Sequence, residues 1–129
     1  MNNNKKVIYT EKAPMPIGPY SQAVKTGNLV FISGQIAIDP TTNQLDIASI
    51  ENEVLCVFNN LKAICEGAGS SINNIIKLNL YLTDLTNFSI VNDIMKQYFN
   101  EPYPARAVVE VANLPKGVRF EAEGVLQLD

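Results

Sequence analysis

The chain has 129 residues, 47% of them apolar and 18% charged, with ten basic and thirteen acidic side chains for a net charge of −3, which fits one domain spanning 1–129 that buries its core without disulfides or metals. It has no histidine and two cysteines, so Ser-His-Asp and Cys-His arrangements and His-containing zinc sites are excluded. The lysines are scattered and form no basic stripe, which argues against duplex DNA or RNA as the main partner.

In chain order, the opening MNNNKKVIYTEK has no apolar stretch of signal-peptide length, and nowhere is there a run of about 18 apolar residues to span a bilayer. A soluble, cytoplasmic protein is expected. Alternation predicts a short strand at 7–9, then strands at 21–25 and 29–38 joined by the turn Thr26-Gly27-Asn28. Within the latter, Ser33-Gly34 reads either as a bulge or as a place where a ligand approaches the backbone.

Apolar residues at Ile50, Val54, Val57, Phe58, Leu61, Ile64, Cys65 and Ala68 follow helical spacing, with Ser49 as cap and Gly67 and Gly69 as terminators. Cys56 and Cys65 lie on this helix about 13 Å apart, too far to bridge, which suits a reducing compartment. Cys65 shares the apolar face, and Cys56 reads as a surface thiol on the other. The segment Gly67-Ala68-Gly69-Ser70-Ser71 follows a helix and lacks a Lys-Ser/Thr ending, so it is a helix stop and not a phosphate loop.

A strand at 75–82 follows, and a second helix at about 87–99 carries Phe88, Val91, Met95, Tyr98 and Phe99 on one side, with Asp84 or Thr86 as its cap. The last two strands, 105–111 and 119–128, flank Leu114-Pro115-Lys116-Gly117 and read as a hairpin. Six strands and two helices make an α+β protein, a six-stranded mixed sheet with both helices on one face.

Two helices cover only one face of such a sheet, and the parity left uncovered is expected to carry Ile75, Tyr81, Val108 and Val125 besides Arg106. An apolar uncovered face of that extent is a candidate oligomer interface. Arg106, at the start of an apolar strand beside such a contact, then needs an anion: Glu110, Glu121, Glu123 or a ligand. Arg119 falls on the parity of Glu121 and Glu123.

The strings Ile17-Gly18-Pro19-Tyr20-Ser21-Gln22-Ala23, Ile32-Ser33-Gly34-Gln35-Ile36, Val91-Asn92, Pro104-Ala105-Arg106 and Leu114-Pro115-Lys116-Gly117, with Glu121 after them, resemble in order and spacing the RidA/YjgF family of reactive-intermediate deaminases. The resemblance covers nearly the whole chain. It implies a chorismate-mutase-like fold, a homotrimer with ligand clefts between subunits, and hydrolysis of 2-imino acids to 2-oxo acids and ammonia with no metal or organic cofactor. It also implies that Arg106 holds the substrate carboxylate, whose two oxygens match the paired donors of a guanidinium. Glu121 is then expected to hold or protonate the attacking water, helped by a pKa raised on burial. Tyr20, Ser33 and the backbone of Gly34 and Val108 would line the pocket, with Asn92 as a buttress.

Glu123 competes with Glu121 on parity alone. In a hairpin register Arg106 would face Gly124, about 10 Å along the sheet from Glu121, and the pair could flank a ligand within one chain or meet across two. Two departures from the family pattern stand out: Val108 occupies a position where many members carry cysteine, and the connection at 100–103 is short. The alternatives to an imine deaminase are a non-enzymatic binder of 2-oxo acids or other small carboxylates and, third, a ribonuclease-type translation inhibitor.

Overall fold

The computed structural model describes residues 5–129; residues 1–4 of the expected 1–129 unit lie outside the described residues. Three strands open the chain: β1 (Lys6–Ile8), β2 (Ala23–Thr26) and β3 (Leu29–Gln35). The second and third form the expected hairpin, in register Thr26↔Leu29, and its turn places Gly27 at φ +58, a left-handed conformation glycine adopts without a Cβ penalty.

The strand predicted at 29–38 stops at Gln35. The β3 register to its neighbour shifts between Ile32 and Gln35, so Ser33 and Gly34 form a bulge that bends the chain away. Residues beyond it form a separate small ladder, β4 (Ile38–Asp39) with β5 (Gln44–Leu45).

Helix α1 (Ile50–Gly67) begins as expected, with Ser49 accepting from the Asn52 N–H at 3.1 Å, a cap worth about 1 kcal/mol. It ends with Gly69 N–H donating to Glu66 O at 2.9 Å and Ser70 N–H to Cys65 O at 3.0 Å. This double closure is the Schellman pattern, with Gly69 at φ +81 in the left-handed position. One expectation on this helix is overturned. Cys56 is not a surface thiol but only 8% exposed, because the chain turned aside by the bulge packs on that flank: Asn60, one turn on, donates to Ile38 O at 3.0 Å.

Strand β6 (Ile75–Leu82), helix α2 (Phe88–Tyr98) and strand β7 (Ala105–Glu110) form a parallel β-α-β crossover. Asp84 caps the single turn Leu85–Asn87 ahead of α2, accepting from Thr86 N–H at 2.9 Å, while the N-cap of α2 itself, Asn87, makes no side-chain bond. The last strand, β8 (Phe120–Gln127), completes a six-stranded mixed sheet in the order β1-β2-β3-β8-β6-β7.

This order corrects the expected C-terminal hairpin. Strands β7 and β8 do not pair; β6 lies between them. The intervening chain wraps the end of β6, with Val111 N–H donating to Leu82 O at 2.8 Å and Thr83 N–H to Arg119 O at 3.1 Å. Strand β8 takes the central slot beside β3, where Phe120, Ala122, Gly124 and Leu126 are buried, and β7 is left at the edge.

The register also corrects the faces. Rows of paired residues place Arg106 beside Leu78, Val108 beside Leu80 and Glu110 beside Leu82, and all three leucines are fully buried. Arg106 and Val108 therefore lie on the face that the helices cover, not on the open one. Ile75 is buried too, at 3% exposed, because a register shift between Ile75 and Lys77 makes Ile76 the outward residue. Tyr81 and Val125 do lie on the open face, together with Phe31, Val109, Glu121 and Glu123. Phe31 and Val109 are 48% and 44% exposed there.

Arg119 departs from its expected parity because β8 begins only at Phe120. Its guanidinium meets Glu53 of α1, Nε to Oε1 at 2.7 Å. Glu53 is fully buried and also accepts from the Arg119 and Phe120 N–H groups at 2.6 and 3.0 Å. Among the described residues, no helix is long and apolar enough to cross a membrane.

Candidate active site

Seven residues were singled out by the sequence, and the structure sorts six of them into two clefts on opposite faces of the sheet. The larger cleft, about 510 Å³, is lined by Tyr20, Ser33, Gly34, Lys116, Glu121 and Glu123 with an apolar wall that includes Met15, Ile17 and Ile36. Its floor is the β3 bulge. Ser33 Oγ donates to Ser21 O at 2.6 Å and Ser33 N–H to Gln22 O at 2.9 Å, tying the bulge to the segment before β2.

Gly34 leaves room for the side chain that lies on it. A Cβ at this position would overlap Oε2 of Glu121 and stand 3.0 Å from its Cδ, so the carboxyl group rests directly on the glycine backbone. Of the two readings of Ser33-Gly34 the bulge is observed, and the group that approaches the glycine backbone is the protein's own carboxyl.

Glu121 has no hydrogen-bond partner among the described residues. Its pKa is raised above the ordinary 4.5, first by burial and then by the charge of Glu123. Glu123, the parity rival, is occupied: Tyr81 Oη donates to its Oε1 at 2.5 Å and Asn79 Nδ2 at 3.5 Å. That bond pushes the Tyr81 phenol up to about 12. The free carboxyl over the bulge is thus Glu121.

The buried Gln22 side chain, 1% exposed, shapes the rim. It exchanges hydrogen bonds with Thr10 N–H and C=O at 2.8 and 3.0 Å and donates to Pro14 O at 2.9 Å, fixing the loop that carries Met15 and Ile17. On the opposite rim Lys116 adopts φ +57, a conformation a non-glycine residue takes at a cost on the order of 1 kcal/mol. Tyr20 is half exposed beside them.

The second cleft, about 450 Å³, is lined by Asn92, Met95, Lys96, Tyr103, Pro104 and Arg106. Arg106 is supported from α2: Nη1 donates to Asn92 Oδ1 at 2.8 Å and approaches Met95 Sδ at 3.5 Å, and the guanidinium carbon stands 5.0 Å from the centroid of the Phe88 ring. Phe88, Asn92 and Met95 follow i, i+4 and i+7 spacing, so one stripe of one helix holds the group. All three are neutral. Asn92, which the family resemblance suggested as a buttress, accepts the hydrogen bond from Arg106. Val108, by contrast, packs half-buried against the core and lines neither cleft.

Sequence reasoning did not find Phe88, Met95, Tyr103, Tyr81 or Asn79, which reach the sites through packing between elements distant in the chain. Only the helical spacing of Phe88, Asn92 and Met95 could have pointed there. Among the described residues no group of three or more His, Cys, Asp or Glu gathers closely enough to hold a metal ion. Both cysteines are buried, with thiol pKa values pushed up to about 11 for Cys56 and about 12 for Cys65, chiefly by burial.

A mixed sheet with two helices on one face makes this an α+β protein, with a glycine bulge under a raised carboxyl group on one face and an arginine held by neutral neighbours on the other. The family model described as Endoribonuclease L-PSP matches residues 10–127. A RutC family protein of Pyrococcus abyssi is 50% identical over 121 residues, covering 94% of this chain and 95% of that protein. The 2-iminobutanoate/2-iminopropanoate deaminase of Homo sapiens is 45% identical over 121 residues, covering 94% and 88%. The crystal structure of RidA from the Antarctic bacterium Psychrobacter superposes with a TM-score of 0.92 at 49% identity, covering 95% of this chain and 99% of that one. The chain belongs to the RidA/YjgF family.

Proposed function

We propose that this protein hydrolyses reactive 2-imino acids, such as 2-iminopropanoate (the tautomer of 2-aminoacrylate) and 2-iminobutanoate, to 2-oxo acids and ammonia, as a homotrimer whose sites lie between subunits. The observation that carries the reading is Arg106: a guanidinium in a cleft, positioned by three neutral side chains and paired with no carboxylate among the described residues. Such a group suits a carboxylate ligand, taken in paired hydrogen bonds. The human relative's name supplies the substrate class.

Arg106 and Glu121 lie on opposite faces of one sheet. A single chain therefore cannot present both to one three- or four-carbon substrate. A neighbouring subunit packed on the open face, with its exposed Phe31 and Val109, brings the Arg106 edge of one chain to the Glu121 cleft of the next. Association also buries an apolar patch that is costly to leave in water.

In the reaction, Arg106 anchors the carboxylate and draws electron density from C2. Glu121, as carboxylate, takes a proton from water as the water oxygen bonds to C2 of the iminium, giving a tetrahedral carbinolamine. The same carboxyl returns that proton to nitrogen, the C–N bond breaks to release ammonia, and Glu121, a carboxylate again, takes the hydroxyl proton as the carbonyl forms and passes it to the ammonia. The sum is iminium plus water to 2-oxo acid plus ammonium. A carboxyl with a raised pKa serves better in both directions, since it is the stronger base and remains an acid closer to neutral pH.

A coupled assay tests this. A pyridoxal-phosphate dehydratase generates the imine from serine or threonine, and the protein is expected to accelerate 2-oxo acid formation. Saturable 2-oxo acid binding with no acceleration would instead identify a carboxylate-binding protein of the same fold. The family model's description names an endoribonuclease. The acidic composition and the lack of histidine supply neither a phosphate-binding surface nor the usual imidazole acid/base pair for that chemistry.

A further inference from the structure

Glu121 and Glu123 are two residues apart on β8 and point to the same face, about 7 Å apart along the strand. Like charges at that spacing disfavour one another's ionisation unless something holds them apart or neutralises them. Glu123 is held. Its neighbour in the row is Asn79, the next row contains Tyr81 opposite Glu121, and both β6 side chains donate to the same oxygen, Oε1. Two donors from one strand thus fix the carboxylate of Glu123 while leaving Glu121 without a hydrogen-bond partner over Gly34.

We propose that Glu123 is a positioning residue for Glu121: clamped by Tyr81 and Asn79, it keeps a fixed negative charge beside the reacting carboxyl and makes Glu121 a stronger base toward the attacking water. This rests on the hydrolytic reading above. The other charged or titratable groups facing this part of the cleft, among the described residues, are Lys116 from the turn before β8, Tyr20 from the segment before β2, and Tyr81 and Lys77 from β6. Neither lysine approaches Glu121 or Glu123 within ion-pair distance. Within the chain the charge of Glu123 is among the causes that raise Glu121; in the proposed trimer the further cation of this cleft is the neighbouring subunit's Arg106, whose charge is taken up by the substrate carboxylate.

The test is a carboxyl-carbon NMR titration of the whole protein labelled at glutamate, for wild type, Glu123→Gln and Tyr81→Phe. Two unit charges about 7 Å apart in a partly wet cleft shift a pKa by about 0.5–1 unit. The Glu121 midpoint is expected to fall by that amount in Glu123→Gln. In Tyr81→Phe, which keeps the charge but loses the clamp, it should fall in the same direction by less. The acidic limb of the kcat/KM profile should move down with the midpoint in Glu123→Gln, with kcat reduced about two- to fivefold and KM little changed. An unchanged Glu121 midpoint in folded Glu123→Gln overturns the proposal, even if stability drops. Should Glu123→Gln fail to fold, an unchanged midpoint in Tyr81→Phe does the same. If wild type shows no imine hydrolysis the hydrolytic reading fails, and the NMR midpoint still decides whether Glu123 sets the proton affinity of Glu121.

Discussion

Arg106 and Arg119 both lie in the last third of the chain and are treated in opposite ways. Arg119 meets Glu53, a fully buried carboxylate, at 2.7 Å, and gives a further hydrogen bond to Ile47 O at 2.9 Å. Its charge is consumed in the fold. Arg106 is fixed just as definitely, but by an amide oxygen, a thioether and an aromatic face, none of which neutralises it. Two arginines of similar apparent environment in the sequence thus divide into one whose charge is paired within the fold and one whose charge is left unpaired by any carboxylate among the described residues. The difference lies in the partner's charge, since a guanidinium already paired with a carboxylate has little left to offer a ligand.

The sharpest break would come at the base on the other side of the proposed site. Glu121→Gln is expected to lower kcat/KM in the coupled imine assay by about 100- to 10,000-fold, the usual span for loss of a general acid/base. The same variant should not lose stability. Because the Glu121 pKa is raised from 4.5 by burial and by Glu123, its contribution to folding is fully present below about pH 4.5 and is lost as pH rises through the folded value. Melting curves should therefore show Glu121→Gln at or above wild type near pH 7, with the gap closing on acidification toward pH 4. A variant less stable than wild type at neutral pH would contradict this cause of the shift.

Arg106→Ala comes next. Removing one partner of a desolvated charge pair costs about 2–5 kcal/mol, or roughly 30-fold to several thousand-fold in kcat/KM. Arg106→Lys should stay impaired for want of paired donors. Neither should alter Tm by more than a few degrees, as the side chain is exposed in the chain. Activity of folded Arg106→Ala within about threefold of wild type would place Arg106 with ordinary surface arginines, worth about 0–1 kcal/mol.

Arg119→Ala is expected to show the converse. It strands Glu53 with backbone donors alone and should cost about 2–3 kcal/mol in denaturant unfolding, below the roughly 3–5 of a fully buried pair, because the Arg119 side chain is 40% exposed. The folded fraction should retain its specific activity. Equal losses of activity in Arg119→Ala and Arg106→Ala, per folded protein, would erase the distinction between the two arginines.

The smallest effect is expected at the thiols. Cys56→Ala with Cys65→Ala should leave turnover within about threefold, as neither thiol lines the cleft of Glu121 or that of Arg106. With pKa values near 11 and 12, both should alkylate at pH 8 far more slowly in the native protein than in denaturant.

Much of the fold is legible in the sequence. The 3.6-residue spacing from Ile50 to Ala68, with Ser49 before it and Gly69 after it, defines α1 and both its ends, because caps and periodicity are local signals. The same holds for the Thr26↔Leu29 hairpin, whereas the motif strings single out Arg106, Glu121, Ser33 and Gly34 through family resemblance. Alternation correctly told which residues share a face within β7 and within β8. It could not tell which face is buried, since that depends on the strand lying alongside.

The C-terminal hairpin shows why. Pro115 and Gly117 make a real turn, and a turn between two apolar strands locally satisfies a hairpin. Yet pairing β8 between β3 and β6 buries Phe120, Ala122, Gly124 and Leu126 under the helices, an apolar gain no edge position offers. Strand β7, carried over α2, is left outside β6 and parallel to it. That long-range choice puts Arg106 on the helix side and Glu121 on the open side, while the extra residue at Ile76 turns only Ile75 inward. The residue types were set by the sequence; their separation onto two faces was decided by competition for the centre of the sheet, which no local pattern records.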